Sequence, residues 1–267
     1  MATLVHTIDV HKSDVNWCSF STKYLATCSG DKTVRLWNID DFSEVSCSPL
    51  NGHEYYVHCC CFSPFGTLLA SCSTDGKIII WDPKTGDKQS VLSHKSKAII
   101  RVCVFSPNSQ FLVSGGADNM LCLWDVSTRK CVRVFEGHEN TVESCSFTPD
   151  SNYLVSGSSD GDIRVWDARF GQSRCLFYTG NEDVHELGVS CIVCSPTFGT
   201  ANRSFAASNP GLRHFLMATC GGDNLVKLWD LYTEPDCTVK LRCILEGHSG
   251  TVMACTFSLD GKMLASG

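Results

Sequence analysis

The 267-residue sequence has no long apolar run: Ile78-Ile79-Ile80-Trp81 is typical of its longest. A membrane-spanning helix needs about 20 apolar residues in succession, so none is expected. The opening stretch, MATLVHTIDVHK, alternates apolar and polar residues and has no apolar core of the kind a secretory leader carries. Basic excess is also lacking. With 22 Lys+Arg against 28 Asp+Glu the net charge is -6, which offers no electrostatic reason to expect nucleic acid as a partner. Helical periodicity is missing as well, which argues against a helical core. One residue type is abundant. There are 18 cysteines, about 7%, just under the roughly 8–10% of short secreted disulfide scaffolds. Without a leader, these residues are expected as reduced thiols in an intracellular protein, cytoplasmic or nuclear.

The tryptophans show a repeat. Trp37, Trp81, Trp124, Trp166 and Trp229 are separated by 44, 43, 42 and 63 residues. Six residues before each stands an aspartate: Asp31, Asp75, Asp118, Asp160 and Asp223. Four residues before each aspartate stands a hydroxyl: Thr27, Ser71, Ser114, Ser156 and Thr219. A histidine lies upstream of each group, at His11, His53, His94, His138 and His185, and a sixth unit begins at His248 and reaches Ser266. The units run over about 11–52, 53–93, 94–137, 138–184 and 185–247, with a partial unit at 248–267. Residues 1–10 stand outside these units, with Thr3 to Ile8 reading as a fourth strand without its own blade. Within a unit, Val57 to Phe62, Leu68 to Ser73, Lys77 to Trp81 and Lys88 to Leu92 alternate or run apolar between Pro, Gly and Asp turn signals. Four short strands per unit describe an all-β chain of antiparallel blades, each burying its faces against its neighbours.

These residues resemble the WD40 β-propeller family. Trp-Asp stands at Trp81-Asp82, Trp124-Asp125, Trp166-Asp167 and Trp229-Asp230, and weakens to Trp37-Asn38; Gly-His stands at Gly52-His53, Gly137-His138 and Gly247-His248. The resemblance implies a hydrogen-bond chain in each blade, from Trp to Ser/Thr to His to Asp. It also implies a seven-bladed ring in a full-length protein, with residues 1–10 as its closing strand. This chain is expected to form an incomplete propeller: an open arc of five blades and part of a sixth, with exposed edges prone to aggregation. A Ser-His-Asp hydrolase is disfavoured, because a nucleophile needs one site with an oxyanion hole rather than five copies. His58-Cys59-Cys60-Cys61 does not read as a zinc site, since strand neighbours point to opposite faces. Cys18, Cys60, Cys103, Cys145 and Cys255 share one repeat position, and Cys28, Cys72 and Cys220 another, which reads as packing. No metal or cofactor is expected.

Function is therefore expected in protein–protein recognition by loops and rim. The family resemblance implies that the residues beside the core positions Val15, Val57, Ile100, Val142, Val189 and Val252 edge the propeller mouth. The candidate rim is Asn16, Tyr56, His58, Ile99, Arg101 and Glu143; the aromatic, apolar and Arg character of its central sector suits binding anchors. The fifth unit carries 16 extra residues around Thr197 to His214 (TFGTANRSFAASNPGLRH), expected as a surface loop. Trp166-Asp167-Ala168-Arg169 resembles the WDxR box of receptors that dock on the cullin-4 ubiquitin ligase adaptor, with Asp167 and Arg169 as candidate contacts. A closer likeness lies in Leu25 to Ser29 with Asp31-Lys32-Thr33, in Val57 to Ser63 (VHCCCFS) and in Leu69 to Gly76 (LASCSTDG). These phrases are similar to the N-terminal part of the WD repeat, SAM and U-box family, in which a propeller precedes a SAM domain and an E2-recruiting U-box. That resemblance implies a substrate- or partner-choosing propeller without the ligase module, and no enzymatic activity in this chain. The alternatives are a cullin-4 substrate receptor and a generic scaffold.

Overall fold

The computed structural model describes residues 4–169, 174–179, 184–197, 214–234 and 236–267. Among them there is no helix, hence none long and apolar enough to cross a membrane. Strands follow one another in five four-stranded sheets and a terminal hairpin. The first sheet holds β1 (Val15–Phe20), β2 (Tyr24–Ser29), β3 (Thr33–Asn38) and β4 (Leu50–Asn51). The second holds β5 (Val57–Phe62), β6 (Leu69–Ser73), β7 (Lys77–Trp81) and β8 (Lys88–Ser93). The third holds β9 (Ile100–Phe105), β10 (Phe111–Gly116), β11 (Leu121–Asp125) and β12 (Lys130–Phe135). The fourth holds β13 (Val142–Phe147), β14 (Tyr153–Ser158), β15 (Ile163–Asp167) and β16 (Cys175–Tyr178). The fifth holds β17 (Val189–Cys194), β18 (His214–Gly221), β19 (Val226–Tyr232) and β20 (Thr238–Leu245); β21 (Cys255–Phe257) and β22 (Leu264–Ser266) pair as the hairpin. This all-β architecture of repeated antiparallel meanders is that of a WD40 β-propeller fold.

Tight turns set the meanders. Ser63-Pro64-Phe65-Gly66 closes between β5 and β6, with Gly66 N–H donating to Ser63 O at 2.7 Å and a positive φ of 65° that glycine adopts without strain. The first strand of four sheets carries the same irregularity. Register shifts between Val15 and Trp17, Val57 and Cys59, Val142 and Ser144, and Val189 and Cys191. A bulge of this kind re-aims the unpaired side chain. The re-aimed residues include Asn16, His58 and Glu143, three of the candidate rim positions.

The chain divides into two compact units, Met1–Ser114 with Trp124–Lys130, and Gly115–Leu123 with Cys131–Gly267. In the first unit Val34, Leu36, Val57, Leu69, Ile79 and Trp81 belong to one buried cluster. In the second, Tyr153, Val165, Val189, Ile192, Phe215 and Met217 do. Second strands are buried on both faces, as in β6 and β14. Such burial comes from sheets packing face to face, and small residues let them approach: a Cβ on Gly157 would stand 2.5 Å from Val189 Cγ1.

Two expectations change here. Val57, Ile100, Val142, Val189 and Val252 are buried, but Val15 is 54% exposed, and Phe20 on the same strand is 65% exposed where Phe62, Phe105 and Phe147 are buried. Val189 is covered by the preceding sheet through Gly157, whereas β1 follows no sheet among the described residues. For the same reason Cys18 is exposed whereas Cys60, Cys103, Cys145 and Cys255 are buried. The closing strand expected over residues 1–10 is also not formed in the described residues 4–10, where Leu4 and Val5 are exposed and no sheet edge is paired. Most of the expected loop around Thr197 to His214 lies outside the described residues.

Candidate functional site

The repeated Trp, Ser/Thr and His are joined in every sheet. The indole Nε1–H donates to the hydroxyl at 3.0 Å for Trp37 and Thr27, 2.9 Å for Trp81 and Ser71, and 2.9 Å for Trp124 and Ser114. The distance is 2.8 Å both for Trp166 and Ser156 and for Trp229 and Thr219. Each hydroxyl then donates to an imidazole Nε2: Thr27 to His11 and Ser71 to His53 at 2.8 Å, Ser114 to His94 and Ser156 to His138 at 2.7 Å, Thr219 to His185 at 2.9 Å. With Nε2 accepting, the ring proton sits on Nδ1, a tautomer assigned from the network. Nδ1–H donates to Asp31 at 2.8 Å, Asp75 at 3.0 Å and Asp223 at 2.7 Å. His248 and Ser266 repeat the contact at 2.8 Å in the hairpin. Asp118 accepts from the backbone N–H of Met120 at 3.3 Å. In each complete chain every donor finds an acceptor, so it is a brace across strands rather than an activated nucleophile.

The fourth repeat corrects the expected role of Asp160. Its carboxylate caps the turn by accepting from the Asp162 N–H at 3.1 Å. The carboxylate nearest His138 Nδ1 is that of Asp162, at 3.6 Å and beyond hydrogen-bond range. Asp162 is drawn elsewhere: it accepts from Thr179 Oγ1 at 2.6 Å and from Arg164 Nε at 2.7 Å. Burial alone would raise the Asp162 carboxyl, but His138, Thr179 and Arg164 outweigh it and hold it at about 2. A depressed carboxyl stabilises the fold fully above its unfolded value of 3.8 and ceases to do so as pH falls through about 2. Asp162→Asn is therefore expected to flatten the fall in stability across that acidic window, read by chemical denaturation at successive pH values; an unchanged slope would count against this assignment.

One string spells the nucleophile-elbow pattern, Gly157-Ser158-Ser159-Asp160-Gly161. It lies in the turn between the antiparallel strands β14 and β15, whereas an elbow joins a strand to a helix.

The rim residues of the first unit come together on adjacent strands. Asn16 Nδ2 donates to Val57 O at 2.8 Å, tying β1 to β5. Tyr56 is 58% exposed just before β5. On β5 and β9, Arg101 Nη1 lies 3.4 Å from His58 Nδ1, and His58 Nε2 lies 2.7 Å from Thr74 Oγ1. Burial first, and the Arg101 charge second, push the His58 imidazole down to about 4. His58 is thus neutral near pH 7, accepting from Arg101 at Nδ1 and donating to Thr74 from Nε2. Ile99 is half-buried beside this pair, and Glu143 is half-buried in the second unit.

Arg169 lies in the second unit, held by its own neighbours. Its Nε and Nη2 fork the Asp167 carboxylate, the shortest contact being 2.6 Å. Its guanidinium carbon lies 5.3 Å from the Tyr153 ring centroid, and Nη1 is 3.7 Å from Glu234 Oε1. Burial would raise Asp167, but the fork holds it below the usual carboxylate value, and the same bond raises Arg169. The side chain remains 48% exposed. Tyr153 and Glu234 had no signal in the sequence, because β14 and the segment after β19 meet only through folding.

With the meanders, their braces and the bulged rim in view, the chain is a WD40 repeat protein. It belongs to the WD40 family described as WD domain, G-beta repeat, whose model matches residues 2–38, 44–82, 86–125, 129–167 and 237–267. The match passes over most of the fifth sheet, which the structure nevertheless forms; there the extra residues between β17 and β18 break the repeat spacing. Over its whole length the chain is 53% identical to WD repeat, SAM and U-box domain-containing protein 1 of Gallus gallus, covering 54% of that protein. It is 50% identical to the Homo sapiens protein of that name, covering 54% of it, and 40% identical to that of Danio rerio, covering 53%. The chain thus spans about half the length of these relatives.

Proposed function

We propose that this WD40 domain is the partner-recognition part of a U-box-type ubiquitin ligase, acting on protein partners inside the cell. The observation that carries the reading is the bulged rim of the first unit. Asn16 and His58 sit where the register shifts, with exposed Tyr56 and the Arg101–His58 pair beside them. An aromatic at the entry to one strand and a guanidinium on another make suitable anchors for a protein segment, since little side-chain entropy is lost on binding. The relatives' printed names supply the SAM and U-box context, and the WD40 repeats, as the part shared with those relatives, support reading this chain as the one that would select what is modified.

The double variant Tyr56→Ala with Arg101→Ala tests this in the full-length protein. Proximity labelling should lose the partners of the wild type, and ubiquitin attached to those partners should fall with them. The thermal unfolding midpoint should stay near wild type, because neither side chain is part of a brace. A partner set unchanged by the double variant would remove this rim from the proposal.

A further inference from the structure

Three cysteines in the second unit form a cluster that the recognition function does not use. Cys191 on β17 and Cys220 on β18 are cross-strand partners, and Cys255 opens β21. All three are buried and their sulfurs lie within 4.8 Å of one another. Cys191 Sγ donates to the Cys255 carbonyl at 3.5 Å. The juxtaposition follows from the repeat. Cys59, Cys72 and Cys103 occupy the same three positions in the second and third sheets, with Cys59 opposite Cys72 and Cys59 Sγ 3.6 Å from the Cys103 carbonyl. Among the described residues, however, the compact grouping is that of Cys191, Cys220 and Cys255.

We propose that Cys191, Cys220 and Cys255 form a three-sulfur binding site for a trivalent thiophilic centre, the arsenic(III) type. Three sulfurs bonded at about 2.3 Å to one pyramidal centre stand about 3.5 Å apart, so side-chain rotations that draw the three thiols together close the site. Charge decides among the soft centres that thiolates favour. The groups that chiefly act on these thiols are each other, with Ser144 beside Cys191, and His185, which contacts Thr219 and Gly221 on either side of Cys220, is neutral with its Nδ1 proton directed at Asp223. Three thiolates around a monovalent ion would bury two negative charges. Around a divalent ion they would bury one, and zinc would also want a fourth ligand. Uncompensated buried charge is costly. A trivalent centre leaves none.

The reaction balances without oxidation or reduction. Arsenous acid, As(OH)3, condenses with three thiols; three As–O and three S–H bonds break, three As–S bonds form, and three waters leave with the thiol protons. Entry is through the β21–β22 hairpin, whose three-residue strands can open locally without unfolding the sheet.

Inorganic arsenite added to the reduced full-length protein, followed by desalting, is the test. The wild type should retain one arsenic per chain in this unit, with three sulfur neighbours and no oxygen by X-ray absorption. Cys220→Ala, a small apolar replacement checked for folding by circular dichroism, should lose the retained arsenic. Cys72→Ala should keep it. No retention by the wild type, retention unchanged in Cys220→Ala, or loss in Cys72→Ala alone would each overturn the site. None of these outcomes depends on the Tyr56 and Arg101 rim.

Discussion

Trp81→Ala should destabilise the first unit by about 3–5 kcal/mol, the range for removing a large aromatic from a core. The indole is 1% exposed and packs in the cluster of Val57, Leu69 and Ile79. Lys88 covers it, with Nζ 5.7 Å from the ring, and a Cβ on Gly52 would reach within 2.9 Å of its edge, so little space exists for collapse. The indole hydrogen bond to Ser71 is the smaller contribution. Trp81→Phe keeps most of the apolar area and removes only that donor, while Ser71 still donates to His53; its expected cost is about 1 kcal/mol. Against a total stability of about 5–15 kcal/mol, the alanine variant should lose much of its margin and the phenylalanine variant little. Urea unfolding of both variants distinguishes packing from hydrogen bonding as the main contribution. Equal losses would show that the brace, not the packing, dominates.

Gly221→Ala should be nearly as damaging, at about 3 kcal/mol, the upper end for overpacking. A Cβ there would lie 2.2 Å from the Gly188 carbonyl oxygen and 2.8 Å from His185 Cγ. The first obstacle is backbone and cannot rotate away. Gly188 itself has a φ of 90°, and its own Cβ would meet the Ser159 carbonyl at 2.7 Å, so it has little freedom to move. Shifting His185 would loosen its bonds to Thr219 and Asp223. Shifting Gly221 would strain its carbonyl's bond from Val252 N–H, which joins the fifth sheet to the hairpin segment. Gly250→Ala is the internal control, because nothing lies within 4 Å of its would-be Cβ. Its unfolding midpoint should equal the wild type's or rise slightly, since alanine narrows the unfolded ensemble. A Gly221 variant as stable as the Gly250 variant would contradict the close approach.

Much of the brace was legible in the sequence because its partners are locally tied. Thr27 and Trp37 are ten residues apart across the β2–β3 turn, and so is each equivalent pair down to Thr219 and Trp229. The hairpin register sets Trp37 opposite Leu25, two residues from Thr27, so the indole reaches the hydroxyl diagonally; that the two bond is what the WD40 resemblance implies. The sheet count over the described residues follows from the same period. The bulge at Asn16, His58 and Glu143 was not legible, because a register shift leaves no mark in the alternation of a single strand.

By itself, then, the sequence determined what depends on short-range register: strands, turns, and the indole, hydroxyl and imidazole of each meander. The tertiary structure alone decided what depends on which surfaces meet. It turned Asp162 toward Arg164 and Thr179 and left Asp160 to cap a turn. It set Arg169 beside Tyr153 and Glu234, and exposed Val15 and Phe20 where their counterparts are buried. It also brought Cys255 to Cys191 and Cys220. A repeat makes positions equivalent in sequence, but burial and partners are set by the neighbouring sheet, and neighbours differ from one sheet to the next.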